Sequence, residues 1–160
     1  MTTANGTVSF AGNDPDLASR LCSAFEPHGW SLQMVGTPQE YVYRLRVKRA
    51  EHQQLSVSAE LRWLADHLIP LLLEVDCRRR ETLELVRNIK RIYGAIPVIV
   101  IAAHTDLVHL SVARLDGADA MFPKSGLDLS AVIETVNDAL ARVNKWRALA
   151  DQLAVHPATV

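Results

Sequence analysis

Glu74 and Asp76 close a nearly continuous apolar run, Ile69-Pro70-Leu71-Leu72-Leu73-Glu74-Val75, and Lys124 closes a shorter one, Ala118 to Phe122. Carboxylates and an ammonium at such run ends can share a crevice, where pairing lowers the cost of holding both charges there. Gly12, Asn13 and Asp14 follow another strand-forming run, Thr7 to Gly12. His104 and His109 suggest a metal or a catalytic base, but five-residue spacing without a third ligand reads better as two surface histidines. Cys77 has no evident base or cationic helix start to activate it. With Cys22 it makes two cysteines, too few for a metal cluster or a disulfide framework. Arg78-Arg79-Arg80, with Arg87, Lys90 and Arg91, is a basic region without a recognition motif, and reads as a solvated surface. No Gly-rich phosphate loop, nucleotide fingerprint or Ser–His–Asp order accompanies these residues. They favour a binding module over an enzyme.

The elements that position them follow from pattern. Asp14 is a good N-cap and Pro15 suits a first helical position, after which Leu17, Leu21 and Phe25 recur every four residues. Trp30, Leu32 and Met34 alternate as in a second strand. Thr37-Pro38-Gln39-Glu40 has capping-box spacing and predicts a helix start. The alternation of Tyr41, Tyr43, Leu45 and Val47 with Arg44, Arg46 and Lys48 argues for a strand instead; the start signal favours the helix. Leu61, Leu64, Ala65 and Leu68 predict a helix over 58–68, followed by the strand that carries Glu74. Leu83, Val86, Ile89 and Tyr93 form another helical stripe, and Pro97 to Ala103 is the clearest buried strand. A helix over 106–115, a short strand from Ala118 to Phe122, and a last helix from Val132 that runs on to Leu153 complete the chain.

Strands alternating with helices imply right-handed crossovers and a parallel sheet covered on both faces. Five such units give an α/β, flavodoxin-like, doubly wound domain. Its working crevice lies at the carboxyl ends of the strands, which is where Gly12, Asn13, Asp14, Glu74, Asp76, Ala102 to His104 and Lys124 fall. A chain of 160 residues suits one such domain. Its 17 basic and 18 acidic side chains exert no net pull toward nucleic acid or an anionic membrane. No apolar run approaches the roughly 20 residues that span a bilayer. The opening MTTANGTVSF has no secretory pattern, so a soluble cytoplasmic protein is expected.

Taken in order, three stretches resemble a response-regulator receiver domain of the CheY-like superfamily. LLLEVDCRRRETLELVRNI (71–89) runs along the pattern around the phosphoryl-accepting aspartate. IPVIVIAAHTD (96–106) is similar to the fourth strand, and GADAMFPKSG (117–126) to the fifth strand with its lysine turn. Ala102 lies 28 residues after Glu74 and Lys124 lies 50 after it, in keeping with receiver spacing. GNDPD (12–16) falls where receivers carry an acidic pair. The resemblance implies a receiver-like domain over 1–142, with an insertion at about 40–68 between the second and third strands, and a C-terminal helix extension or linker over 143–160.

The departures from that pattern set the expected function. By resemblance, Gly12 and Asn13 replace the acidic pair, Glu74 replaces the acceptor aspartate, and Ala102 and Met121 replace the switching hydroxyl and aromatic residue. Only Lys124 keeps its role. A hard cation wants several oxygen ligands, preferably anionic, so Mg²⁺ binding is expected to be weak or absent and no other cofactor is expected. Without the ion ordinary phosphoryl transfer should largely fail. Asp76, two residues past Glu74 and expected in the following loop, is the rival acceptor.

The expected function is therefore a pseudo-receiver, a phosphorylation-independent module acting by protein–protein contact in a bacterial two-component or phosphorelay pathway. Two alternatives stand beside it: a receiver still phosphorylated on Asp76, and a small-molecule sensor using room left by Gly12 and Ala102. The expected partner is a protein, a regulator or effector domain, with no membrane or nucleic acid. A homodimer is expected through the face of the fourth helix, fifth strand and fifth helix (about 106–140, with Leu110, Val132 and Val136 if exposed). The extended last helix, with Val143, Trp146, Leu149 and Leu153, is the other candidate face. The apolar residues Tyr41, Tyr43, Leu55, Val57, Leu61, Trp63 and Leu64 of the insertion form either an extra layer or a contact surface.

Overall fold

A computed structural model describes residues 6–52, 68–104 and 117–155. Five parallel strands stand in the order β2-β1-β3-β4-β5: β1 Gly6–Ala11, β2 Trp30–Met34, β3 Leu71–Asp76, β4 Val98–Ala103 and β5 Ala120–Pro123. The helices among the described residues are α1 Pro15–Phe25, α2 Pro38–His52, α3 Arg80–Ile92 and α4 Leu129–Val155. This is the flavodoxin-like order, whose switch point falls between β1 and β3.

The register explains how apolar runs become two cores. Leu71, Leu73 and Val75 of β3 share a face with Val98, Val100 and Ala102 of β4, packed against Val42 and Leu45 of α2 and Val86 and Ile89 of α3. Leu72, Ile99 and Ile101 point the other way, with Val8 and Phe10 of β1, against Leu17, Leu21 and Phe25 of α1 and Val132 and Val136 of α4. Each fully buried side chain of this size contributes roughly 1.5–3 kcal/mol. By the same alternation Glu74, beside Ile101, lies on the α1/α4 side of the sheet.

Local signals decide the contested elements. The Asp14 carboxylate accepts from Asp16 N (2.9 Å) and Leu17 N (3.2 Å), fixing the start of α1 directly above β1. At the head of α2, Thr37 Oγ1 accepts from Glu40 N at 3.2 Å. The helix then overrides the alternating pattern: Val42 and Leu45 are buried while Tyr43 and Val47 face solvent. The first part of the expected insertion at 40–68 is thus ordinary helix. The expected helices at 58–68 and 106–115 lie outside the described residues, apart from Leu68, and so do Leu55, Val57, Leu61, Trp63, Leu64, His109 and Leu110.

Two expectations change. Asp76 is the last residue of β3 and not part of the loop, because Cys77 N still donates to Ala103 O (3.0 Å) and holds the ladder closed past it. Val132 and Val136 are 0% exposed in the core, so they cannot form a self-association face. Among the described residues the large exposed apolar side chains of α4 are Trp146 and Leu149.

Candidate functional site

Lys124 stands just past β5, its backbone N–H donating to Ala102 O (2.8 Å), and its side chain reaches across the strand ends. Its Nζ lies 2.6 Å from Asp14 Oδ2 and 3.1 Å from Glu74 Oε2. Asp14 therefore works with both oxygens, one capping α1 and one holding the lysine. Glu74 is also held at both ends. Its Oε1 accepts from Asn13 N at 2.8 Å, while its buried Oε2 faces the ammonium off the hydrogen-bonding direction, as an ion pair. The hydrogen bond that Lys124 donates to Asp14 is the main cause that raises the Lys124 pKa above its ordinary value; burial opposes it and Glu74 adds to it. Asp14 is lowered in turn, chiefly by Lys124 and next by the Leu17 N–H.

A second pair sits beside the first. Asp76 is gripped by Arg78: Nη2 donates to Oδ2 (3.0 Å), and Nε (3.2 Å) and the backbone N–H (3.0 Å) donate to Oδ1. That guanidinium holds the Asp76 carboxyl down at about 2, against an ordinary 3.8. His104, after β4, takes a left-handed backbone (φ 55°) and is exposed. Between the pairs opens a crevice of about 350 Å³, lined among others by Asn13, Gln39, Glu74, Asp76, Arg78 and Lys124.

The receiver resemblance implies Mg²⁺ at this place, and the residues present offer it little. A Cβ at Gly12 would lie 2.7 Å from Phe10 Cζ and 2.9 Å from Glu74 Cβ, so a fully buried ring fills the space where an acidic side chain would stand. Asn13 gives its N–H to Glu74, and the point where Asp14 and Glu74 converge is occupied by Lys124 Nζ. Among the described residues no three His, Cys, Asp or Glu side chains gather to hold a metal. This donor set does not fit a hard divalent cation. The Phe10 ring occupies the space beside Gly12, and Ala102 is 1% exposed, packed in the core that Met121 adjoins.

Of the residues expected to act together, Glu74, Lys124 and Asn13 meet. Asp76 stands apart on its own arginine, and Cys77 is buried. Two contacts escaped sequence reasoning: Asp14, already expected at the crevice, is the nearer partner of Lys124, and Phe10 fills the space beside Gly12. The signal for Asp14 was its N-cap position, which engages one carboxylate oxygen and leaves the other directed into the crevice.

No protein-family model and no curated protein matches the chain. Solved structures do. A response regulator from Thermotoga maritima is 20% identical, with a TM-score of 0.62 over 88% of this chain and 99% of that one. The signal receiver domain of a signal transduction histidine kinase from Syntrophus aciditrophicus is 21% identical, with a TM-score of 0.59 over 85% and 90%. NtrX from Brucella abortus is 15% identical, with a TM-score of 0.62 over 95% of this chain and 29% of that longer one. The strand order, the two-faced core and these likenesses together establish that the chain has the CheY-like fold of response-regulator receiver domains.

Proposed function

We propose that this chain is a pseudo-receiver, a phosphorylation-independent module that signals by protein–protein contact in a bacterial two-component-type pathway and works in the cytoplasm. One observation carries the reading: Lys124, the cation expected to meet an incoming phosphoryl group, is held by Asp14 at 2.6 Å and Glu74 at 3.1 Å. Phosphoryl transfer runs on positioning and on neutralising developing charge. Here the neutralising charge is spent within the chain, on a carboxylate one methylene longer than aspartate. Ala102, with no hydroxyl and 1% exposure, leaves no side chain to follow a phosphate. The crevice therefore acts as a fixed surface.

The recipient of the signal is a protein, either a separate partner or an effector domain; the match to part of the longer NtrX chain supports this. The exposed Trp146 and Leu149 on α4 offer apolar contact area, for a second copy or for that partner. No helix among the described residues is long and apolar enough to cross a membrane.

Asp76 supports a second reading, since it ends β3 on the same side as Glu74 and stays ionised down to about pH 2. Against it, both of its oxygens are engaged by Arg78. The test is intact mass after incubation with acetyl phosphate and Mg²⁺, beside an ordinary receiver as positive control. The expected result is no phosphoryl adduct. A stoichiometric adduct would overturn the proposal, and its loss in Asp76→Asn would establish the second reading.

A further inference from the structure

A separate cavity of about 150 Å³ lies between α2 and the sheet, away from the strand-end crevice. Its floor is apolar, with Leu45, Tyr93 and Ile96 each more than nine-tenths buried. Helical spacing makes one wall. Tyr41, Arg44, Leu45 and Lys48 fall at i, i+3, i+4 and i+7, so α2 turns all four to one side. Ser9 of β1 and Gln33 of β2 complete the lining.

Polar groups share the cavity with that apolar floor. Ser9 is 5% exposed and sits beside Leu71 on the sheet, a position where an apolar side chain would pack. The hydroxyls of Ser9 and Tyr41 line the space, and the exposed Lys48 stands on its wall one turn beyond Arg44. Burial pushes the Tyr41 phenol up, which keeps it a neutral donor. Among the described residues Arg44 pairs with Glu40, at 3.5 Å with both side chains more than half exposed, a contact too weak to hold it from another anion. A space of about 150 Å³ takes one ring, and hydroxyls on its wall can hydrogen-bond a polar substituent of that ring. Two cations at the mouth of such a space select an anionic end on that ring.

We propose that this cavity is a binding site for a single-ring aromatic carboxylate. The ring lies over Leu45 and Ile96, the carboxylate meets Lys48 and Arg44 at the mouth, and the hydroxyls of Ser9 and Tyr41 receive a polar ring substituent. The site is independent of the crevice and of whether the crevice takes a phosphoryl group.

The test is a titration of the isotope-labelled full chain with 4-hydroxybenzoate, followed by amide NMR shifts. Saturable shifts are expected at Ser9, Leu45 and Ile96, with a Kd of order 1 mM for a ligand of this size. Lys48→Glu changes only an exposed side chain and should weaken binding at least about tenfold, as should replacing the probe with the uncharged 4-hydroxybenzamide. Absence of saturable shifts would overturn the proposal. So would shifts centred on Asn13 and Lys124, or an affinity unchanged in Lys48→Glu.

Discussion

Gly12→Ala adds one methyl group to the crevice wall, and the structure specifies what it meets. The new Cβ would lie 2.7 Å from Phe10 Cζ and 2.9 Å from Glu74 Cβ, where ordinary contact begins at 3.4 Å. Phe10 is 0% exposed between β1 and α1, so the ring must move against a packed core. Overpacking of this kind costs about 1–3 kcal/mol. The stiffer unfolded chain of the alanine variant returns about 0.4–1 kcal/mol. From the middle of each range the net expectation is a loss of about 1.3 kcal/mol, read as a lower urea midpoint by circular dichroism and a Tm lower by about 3–5 °C, at about 2–4 °C per kcal/mol for a chain this long. Phe10→Leu removes the far end of the ring and is destabilising alone, but in the double variant it relieves the clash. The two losses should therefore fall short of additivity by about 1 kcal/mol. An alanine variant as stable as the wild type, or losses that simply add, would refute the packing argument. The same geometry predicts that Gly12→Asp alone gains no measurable Mg²⁺ affinity, since the carboxylate has nowhere to stand.

Three further outcomes are expected. Asp76 is depressed in the folded state, so its contribution is present above pH 3.8 and lost as pH falls toward about 2; Asp76→Asn should be less stable at neutral pH, with the deficit closing between pH 4 and 2 in urea midpoints. Lys124 is raised, so its contribution is full below pH 10.5 and lost as pH rises through its folded value. The deficit of Lys124→Met should accordingly hold across neutral pH and close in strong alkali, and also in acid as Asp14 protonates; a deficit independent of pH would count against the ion pairs. Asp119 Oδ2 accepts from Val98 N and Lys90 Nζ, both at 2.7 Å, with the lysine and aspartate side chains 17% and 19% exposed. Asp119→Ala should therefore cost about 2–4 kcal/mol and lower the Tm by about 5–15 °C in thermal melts, with Asp119→Asn recovering part of the loss; a drop under about 2 °C would contradict this.

Much of the fold was legible because its strands are long apolar runs. Val98 to Ala103 can only be a strand covered on both faces, and the Asp14-Pro15 pair can only open a helix. At α2 two signals conflicted, and the local one prevailed: the Thr37 cap fixes the first turn, after which Val42 and Leu45 fit a helical face and Tyr43 is left in water. The site was less legible, since its critical contacts are three-dimensional. No spacing rule puts Asp14 on Lys124, 110 positions away. Nothing in the string Phe10-Ala11-Gly12 says that the ring turns back over the glycine until the packing is seen. Asp76 was placed one step too late because polar Cys77-Arg78-Arg79 looks like loop, whereas the ladder to Ala103 holds one residue longer than the apolar run.

The last helix has a mechanical consequence. α4 is anchored through the buried Val143 and through Arg147, whose Nη2 donates to Leu68 O at 3.4 Å, and continues to Val155. The 8 residues past Arg147 extend about 12 Å at 1.5 Å per residue. A rod of that length is a lever: a tilt of about 5° at its fulcrum displaces the tip by about 1.0 Å. Whatever rests on the outer turns of α4 therefore senses small changes in how the helix seats on the sheet, amplified by geometry alone.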